Sequence, residues 1–403
     1  MDVKKKNGWR RLGWGLVAVA TGIALMLASA CTGFGELHRG KAEQQPLEAS
    51  PQWHDGQFNN PQPMWSNMKD ALLRAFESTP DGAPQTAVPV LASQGEALAT
   101  LPASGLRVTW FGHSSTLLEI DGTRVLLDPI WSERASPVSW IGPKRWFAPP
   151  IALDKLPPVD VVLVSHDHYD HLDAGTVRAL QARGARFVVP LGIGGHLRGW
   201  GVPADRIVEL DWWQSTTVGA LQVTSTPARH ASGRLNPQSD RTLWTGFAMV
   251  GAAHRVYYSG DTGLFDEMND IGKRLGPFDL TLIESGQYDA DWPDWHLGPE
   301  QAVLAHQRVQ GKLMMPVHWG LFALAHHGWT EPVERVLAAA ACQGVSVLTP
   351  KPGQSVEPGR DPAPAHWWPR QAWRTAAEKP VVATKNGNNA DRVQLPACVA
   401  SAS

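Results

Sequence analysis

The sequence predicts an α/β domain built on sheets, and three observations predict it. Val159 to Ser165 is a nearly continuous apolar run that stops at charge and histidine, as a strand covered on both faces does. Strand and helix patterns interleave on either side of it, and the polar motifs fall at strand ends. Before that run, Leu106 to Trp110, Ser115 to Ile120 and Arg124 to Asp128 read as short strands, broken by Gly112 and the Asp121-Gly122 hairpin signal. After it, the pattern predicts a helix at Gly175 to Ala182, a strand at Phe187 to Val189, a helix at Gly194 to Gly199, and strands over 206–210 and 217–226. Met249 to Ser259, Leu280 to Glu284 and Lys312 to Pro316 add three strands, with a helix over 299–309 between the last two. The domain so defined runs from 102 to 353.

With 403 residues the chain buries a substantial core, which excludes a peptide module or a disulfide-dependent miniprotein. Lys and Arg total 36 against 38 Asp and Glu, a formal net charge of -2, so no nucleic-acid partner is expected. Charged residues at 18% and hydrophobic residues at 43% fit a loop-rich folded enzyme better than a coiled coil or a disordered chain. Nineteen Trp against ten Phe and four Tyr is the outlier, because each buried indole N–H needs a partner.

The ends read differently from the middle. Lys4, Lys5, Lys6, Arg10 and Arg11 precede 19 uncharged residues, Leu12 to Ala30, the order of an export signal, so residues 1–30 are expected to be a signal peptide. Leu27-Ala28-Ser29-Ala30-Cys31 resembles a bacterial lipoprotein box with Cys31 lipidated, although Ala28 stands where Leu is more usual. Ala28-x-Ala30 also reads as an ordinary secretory cleavage site, and an uncleaved anchor is the third reading. All three place the bulk of the chain outside the cytoplasm. Residues 31–101, rich in proline and with one helical stretch at Met68 to Phe76, are expected to be a linker and N-terminal arm. Residues 354–403 form a Pro/Ala-rich C-terminal extension carrying Trp367, Trp368 and Trp373, whose plain reading is a loosely packed tail, with a surface-covering extension as the alternative. Cys342 and Cys398 are either a disulfide or free thiols.

The chemistry concentrates in Ser165-His166-Asp167-His168-Tyr169-Asp170-His171-Leu172-Asp173, too dense in histidine and aspartate to be packing. His166 and His168 can point at one metal from a tight turn, while Asp170 and His171 lie far enough along to face a second. Imidazole nitrogen with carboxylate oxygen suits zinc and related divalent ions. His230, Asp261 and His318 end other strands and can complete two coordination shells if the topology brings their turns to one sheet edge. His326 and His327 are expected to be surface residues without a metal role. No dinucleotide or phosphate-loop fingerprint is complete, and Ser114 and Ser115 lack the setting of an activated serine.

These motifs resemble the metallo-β-lactamase superfamily, and within it the branch of N-acyl-phosphatidylethanolamine-hydrolysing phospholipase D. The likeness runs from Ser50 to Asn60 through Thr109-Trp110-Phe111-Gly112-His113-Ser114, Leu127-Asp128-Pro129-Ile130 and the 166–171 run. It continues through Pro227-Ala228-Arg229-His230, Ser259-Gly260-Asp261-Thr262-Gly263 and His318 to Leu324. The resemblance implies a four-layer αβ/βα sandwich, two sheets face to face with helices outside. It implies that His166, His168 and His230 hold the first of two divalent metal ions, that Asp170, His171 and His318 hold the second, and that Asp261 bridges them. Zinc is the expected metal and manganese the alternative. Two such ions share a water and orient its hydroxide for attack on a phosphodiester, with Asp170 orienting it or taking its proton. His296, in Trp295-His296-Leu297, resembles a substrate-pocket histidine of the branch and is assigned to phosphate binding or leaving-group protonation. His113 is a candidate to hydrogen-bond a ligand from behind.

The expected substrate is therefore a phospholipid or other small phosphodiester, met at the membrane to which a lipidated Cys31 ties the protein in the bacterial periplasm. Trp131, Trp140, Trp146, Phe147, Trp292, Trp295, Trp319 and Trp329 are candidates to gather lipid at the headgroup boundary, with ordinary loop packing as the alternative. Two rival readings keep the same ligands: a lactonase or sugar-phosphate hydrolase, and a noncatalytic membrane-tethered metal-binding envelope protein.

Overall fold

Leu126 points the opposite way from its neighbours Val125 and Leu127, and this period of two organises the layers. Val125 and Leu127 face a core shared by two sheets, while Leu126 faces a second core under helices. The computed structural model describes residues 41–395, apart from 75, 76, 78, 94, 235, 237 and 362–365. The expected signal segment, Cys31 and Cys398 lie outside the described residues, and Cys342 is disulfide-bonded. Among the described residues no helix is long and apolar enough to cross a membrane.

The N-terminal arm carries α1 (Lys41–Glu48), the short hairpin β1 (Trp53–His54) and β2 (Gln57–Phe58), and α2 (Met68–Arg74). The first sheet contains β3 (Leu106–Trp110), β4 (Thr116–Ile120), β5 (Thr123–Leu127), β6 (Val161–Leu163), β7 (Phe187–Pro190), β8 (Ile207–Leu210) and β16 (Ser355–Val356). Its order is β16-β3-β4-β5-β6-β7-β8, antiparallel as far as β5 and parallel from β5 to β8. The second contains β9 (Ser215–Val218), β10 (Leu221–Thr226), β11 (Gly246–Val250), β12 (Arg255–Tyr258), β13 (Phe278–Glu284), β14 (Gly311–Val317) and β15 (Ser346–Val347). It repeats the plan, antiparallel from β9 to β12 and parallel from β12 to β15.

Val108, Leu118 and Leu163 meet Val223, Met249 and Leu282 between the sheets. Outside the first sheet, α3 (Ala174–Ala182) and α4 (Ile193–Gly199) cover Val162 and Val189 with Val177, Leu180, Ile193 and Leu197. Outside the second, α5 (Met268–Leu275), α6 (Pro299–Arg308) and α7 (Glu331–Gln343) cover Ile283 and Met314 with Ile271, Val303 and Val336. Helix, sheet, sheet and helix make the predicted four-layer α/β sandwich.

The structure departs from the predicted elements in ways that hydrogen bonding explains. The runs 217–226 and Met249 to Ser259 each contribute to a hairpin: β9 pairs with β10 across Gly219, and β11 with β12 across Gly251. Apolar content alone does not show where a run folds back. The first sheet also takes in Ser355 and Val356, beyond 353, by pairing them with Thr109 and Val108. The C-terminal extension is not a loose tail: Trp367 and Trp368 are buried in the inter-sheet core, and β17 (Val382–Thr384) pairs with β18 (Arg392–Gln394). Trp319 stacks on Trp110 at 5.2 Å and on Trp367 at 5.6 Å, so much of the tryptophan excess is core. This removes Trp295, Trp319 and Trp329, all buried, from the candidates for a lipid-gathering surface, whereas Trp140 is 59% exposed beside Ile141.

A candidate dinuclear metal centre

Parallel strands point their C-terminal ends the same way, so β12, β13 and β14 deliver Asp261, Glu284 and His318 to one sheet edge. The loop after β6 brings His166 to His171 to the same edge, and the loop after β10 brings His230. His113, in the turn between β3 and β4, is tied to the last loop: its N–H donates to the Trp319 carbonyl at 2.9 Å, and the His318 N–H donates to the His113 carbonyl at 3.0 Å. His113, Asp128 and His318 have φ of 53°, 36° and 66°, a conformation rare outside glycine and typical of functional turns.

Two groups of ligand atoms result. In the first, His168 Nδ1 lies 2.9 Å from His166 Nε2 and 3.3 Å from His230 Nε2. In the second, Asp170 Oδ2 lies 3.4 Å from His171 Nε2 and 3.3 Å from His318 Nε2. Asp261 Oδ2 reaches both, at 3.0 Å from His171, 3.1 Å from His318, 3.8 Å from His166 and 3.9 Å from His230. Every residue that the sequence analysis named for the metals thus sits in one cluster.

Four of the five rings are held from behind by their other nitrogen, which fixes the face each of them presents. His171 Nδ1 meets Asp128 Oδ2 at 2.6 Å, His230 Nδ1 meets the Trp295 carbonyl at 2.9 Å, and His166 Nδ1 meets Ser165 Oγ at 3.0 Å. His318 Nδ1 lies 3.2 Å from Glu284 Oε2. His113 Nε2 meets Asp170 Oδ2 at 2.9 Å. His296 stands at the rim, its Nδ1 2.8 Å from Glu284 Oε2 and 3.7 Å from Asp261 Oδ2. His326 and His327 stand apart on structural partners: His326 Nδ1 meets Asp289 at 2.7 Å, and His327 Nε2 accepts the Gln287 N–H at 2.9 Å.

Two supporting carboxylates escaped the sequence analysis. Asp128 and Glu284 are completely buried, each closing an apolar strand, Val125-Leu126-Leu127 and Leu280-Thr281-Leu282-Ile283. A lone acid ending such a strand was the available signal, but only the fold shows that it faces a histidine.

Electrostatics follow from this crowding. Burial would lower the His318 pKa, yet Asp261, Asp170 and Glu284 outweigh it and hold the ring up at about 10. His171 is likewise held well above its ordinary value, against burial, by Asp261 and Asp170. Burial would raise Asp170 and Asp261, but the neighbouring His171 charge keeps both well below the usual carboxylate range. His113 is pushed down to about 3 by burial and the His318 charge, so it is neutral near Asp170. Carboxylates packed this way require positive charge between them. Buried Asp261 Oδ1 has no hydrogen-bond partner among the described residues, and it points to a cation as the completing group. The donor set, five imidazoles and two carboxylates with four of the rings fixed from behind, fits one or two divalent metal ions.

Comparison with known proteins agrees with this architecture. Residues 123–319 match the family described as the beta-lactamase superfamily domain. An uncharacterized protein of Mycobacterium tuberculosis is 50% identical over 331 residues, 80% of this chain and 88% of that protein. The N-acyl-phosphatidylethanolamine-hydrolyzing phospholipase D 1 of Caenorhabditis elegans is 37% identical over 233 residues, 55% of this chain and 65% of that protein. Among solved structures, a possible metal-dependent hydrolase of Veillonella parvula superposes with a TM-score of 0.51 at 17% identity, over 62% of this chain and 98% of that one, a likeness of fold alone.

Proposed function

The chain belongs to the metallo-β-lactamase superfamily, and we propose that it is a dinuclear metal-dependent phosphodiesterase of the phospholipase D type, acting on N-acyl-phosphatidylethanolamine-like lipids. The observation that carries the dinuclear part of this reading is the placement of Asp261 Oδ2 between two ligand groups. His166, His168 and His230 would hold one ion, Asp170, His171 and His318 the other, with Asp261 shared. Zinc is the first choice for both ions and manganese the second. Bound there, the pair would supply a water ionised near neutrality and offset the charge that grows on phosphoryl oxygens.

The chain's own groups supply the rest. Neutral His113 donates to Asp170 Oδ2 and fixes that carboxylate's orientation, leaving its other oxygen to receive the proton of the attacking water. Glu284 accepts the Nδ1 proton of His296, which leaves Nε2 as the atom that exchanges protons. When water adds to phosphorus and the P–O bond to the alcohol breaks, protonated His296 Nε2 gives its proton to the departing oxygen. The choice of lipid rests on the similarity to the Caenorhabditis elegans phospholipase. The charged-then-apolar order of the first thirty residues supports export to the bacterial envelope, with Cys31 as a membrane tether. Mass spectrometry of the mature N-terminus tests that tether, and an unmodified Cys31 refutes it.

The activity test uses purified protein loaded with zinc or manganese and offered N-acylated phosphatidylethanolamine in mixed micelles, a cyclic phosphodiester and a lactone. Lipid turnover that falls by at least about a hundredfold in Asp170→Asn, with the fold retained, is the expected result. Lactone turnover without any phosphodiester turnover overturns the assignment.

A further inference from the structure

We propose that Asp294 is a positioning residue through which the C-terminal extension and the N-terminal arm together fix the loop carrying Trp295 and His296 against the metal centre. The inference rests on the reading of that centre as metal-binding. Asp294 is completely buried and receives donors from three distant segments. The Thr384 N–H donates to Oδ1 at 2.6 Å and the Thr384 hydroxyl to Oδ2 at 2.5 Å. From the N-terminal arm, the Trp65 N–H donates to Oδ2 at 2.8 Å. The third segment supplies Arg229, whose Nη1 lies 3.1 Å from Oδ1.

Each of these links leads to the centre within a residue or two. The next carbonyl, Trp295 O, holds His230 Nδ1, and the Trp295 ring lies parallel to His168, 6.1 Å away with planes 9° apart. His296 follows and meets Glu284. Arg229 immediately precedes His230 and also donates to the Gln62, Pro63 and Leu264 carbonyls. The loop has no slack elsewhere: a methyl group at Gly263 would strike the Asp294 carbonyl, and one at Gly298 would strike Val381 in the extension. A buried carboxylate is costly unless every oxygen is satisfied. Here that condition is met only when residues 65, 229 and 384 are all in register, so the His230 ring is set correctly only when both ends of the described chain are docked.

The test needs no substrate. Full-length wild type, Thr384→Val, Thr384→Ser and Asp294→Asn are titrated with cobalt(II), reading its visible d–d bands, and hydrogen exchange is followed in peptides spanning 229–232 and 291–298. Removing a group that orients a metal-bound histidine weakens binding by about 10- to 100-fold. Thr384→Val is expected to weaken the first cobalt site at least about 10-fold, shift its spectrum and speed exchange in both peptides. Thr384→Ser, which keeps the hydroxyl, is expected to restore all three. If Asp294→Asn does not fold, the Thr384 pair carries the test. Unchanged cobalt affinity and spectrum in Thr384→Val, with a lower melting temperature alone, overturns the positioning role. Failure of wild type itself to bind cobalt overturns the metal-centre reading, a distinguishable result.

Discussion

Replacing Asp128 by Asn separates orientation of a ligand from possession of one. Its Oδ1 accepts the Ser165 N–H at 2.7 Å, while Oδ2 receives His171 Nδ1 at 2.6 Å and the Ser165 hydroxyl at 2.5 Å, with the Tyr258 hydroxyl also aimed at it. An amide keeps its oxygen on the Ser165 N–H and turns its NH₂ toward the other donors. The hydroxyls can rotate, but the imidazole can respond only by moving its proton from Nδ1 to Nε2, the atom 3.0 Å from Asp261. A protonated Nε2 cannot ligate. The loss is that of one hydrogen bond to a charged group, about 1.5–3 kcal/mol, which corresponds to about 10- to 150-fold in affinity. Zinc competition titration of the purified protein should show one of two sites weakened by that factor, and the other changed by less than about threefold. Retention of both affinities within about twofold, or an equal loss in Ser165→Ala, would refute the argument.

Three further outcomes are expected. His296→Asn should lower kcat on a phosphodiester substrate by about 10²–10⁴-fold while leaving metal content intact, and Glu284→Gln should lower it less, as steady-state kinetics with metal analysis would reveal. Burial raises Asp240 to about 7, so its folded form prefers the proton and stability is lost as pH rises from about 4 to 7. Asp240→Asn should therefore raise the melting temperature at pH 8 relative to wild type and lose that advantage near pH 4, and a pH-independent difference would contradict the burial argument. Trp319→Ala, which empties a 1% exposed site between Trp110 and Trp367, should cost about 3–5 kcal/mol in denaturant unfolding, whereas Trp140→Ser, at an exposed site, should change stability by about 0.5 kcal/mol or less.

Much of the centre was legible because its residues are marked by local context. His166 to His171 is a single turn after an apolar strand, and short range fixes how its side chains diverge. The layers were legible for the same reason, since a strand apolar on both faces needs cover on both. The hairpins within 217–226 and 249–259 were not, because only pairing partners decide where an apolar run reverses.

What the sequence determined by itself was the donor inventory: histidines and aspartates at strand ends, chosen by type and spacing for divalent cations. Tertiary structure alone decided that His230, Asp261 and His318 meet the 166–171 turn, because their strands pair in a second sheet packed face to face with the first. It also decided the parts played by Asp128, Glu284 and Asp294. A buried carboxylate has no function until something distant donates to it, and the partners of these three lie as far off as residues 258, 318 and 384.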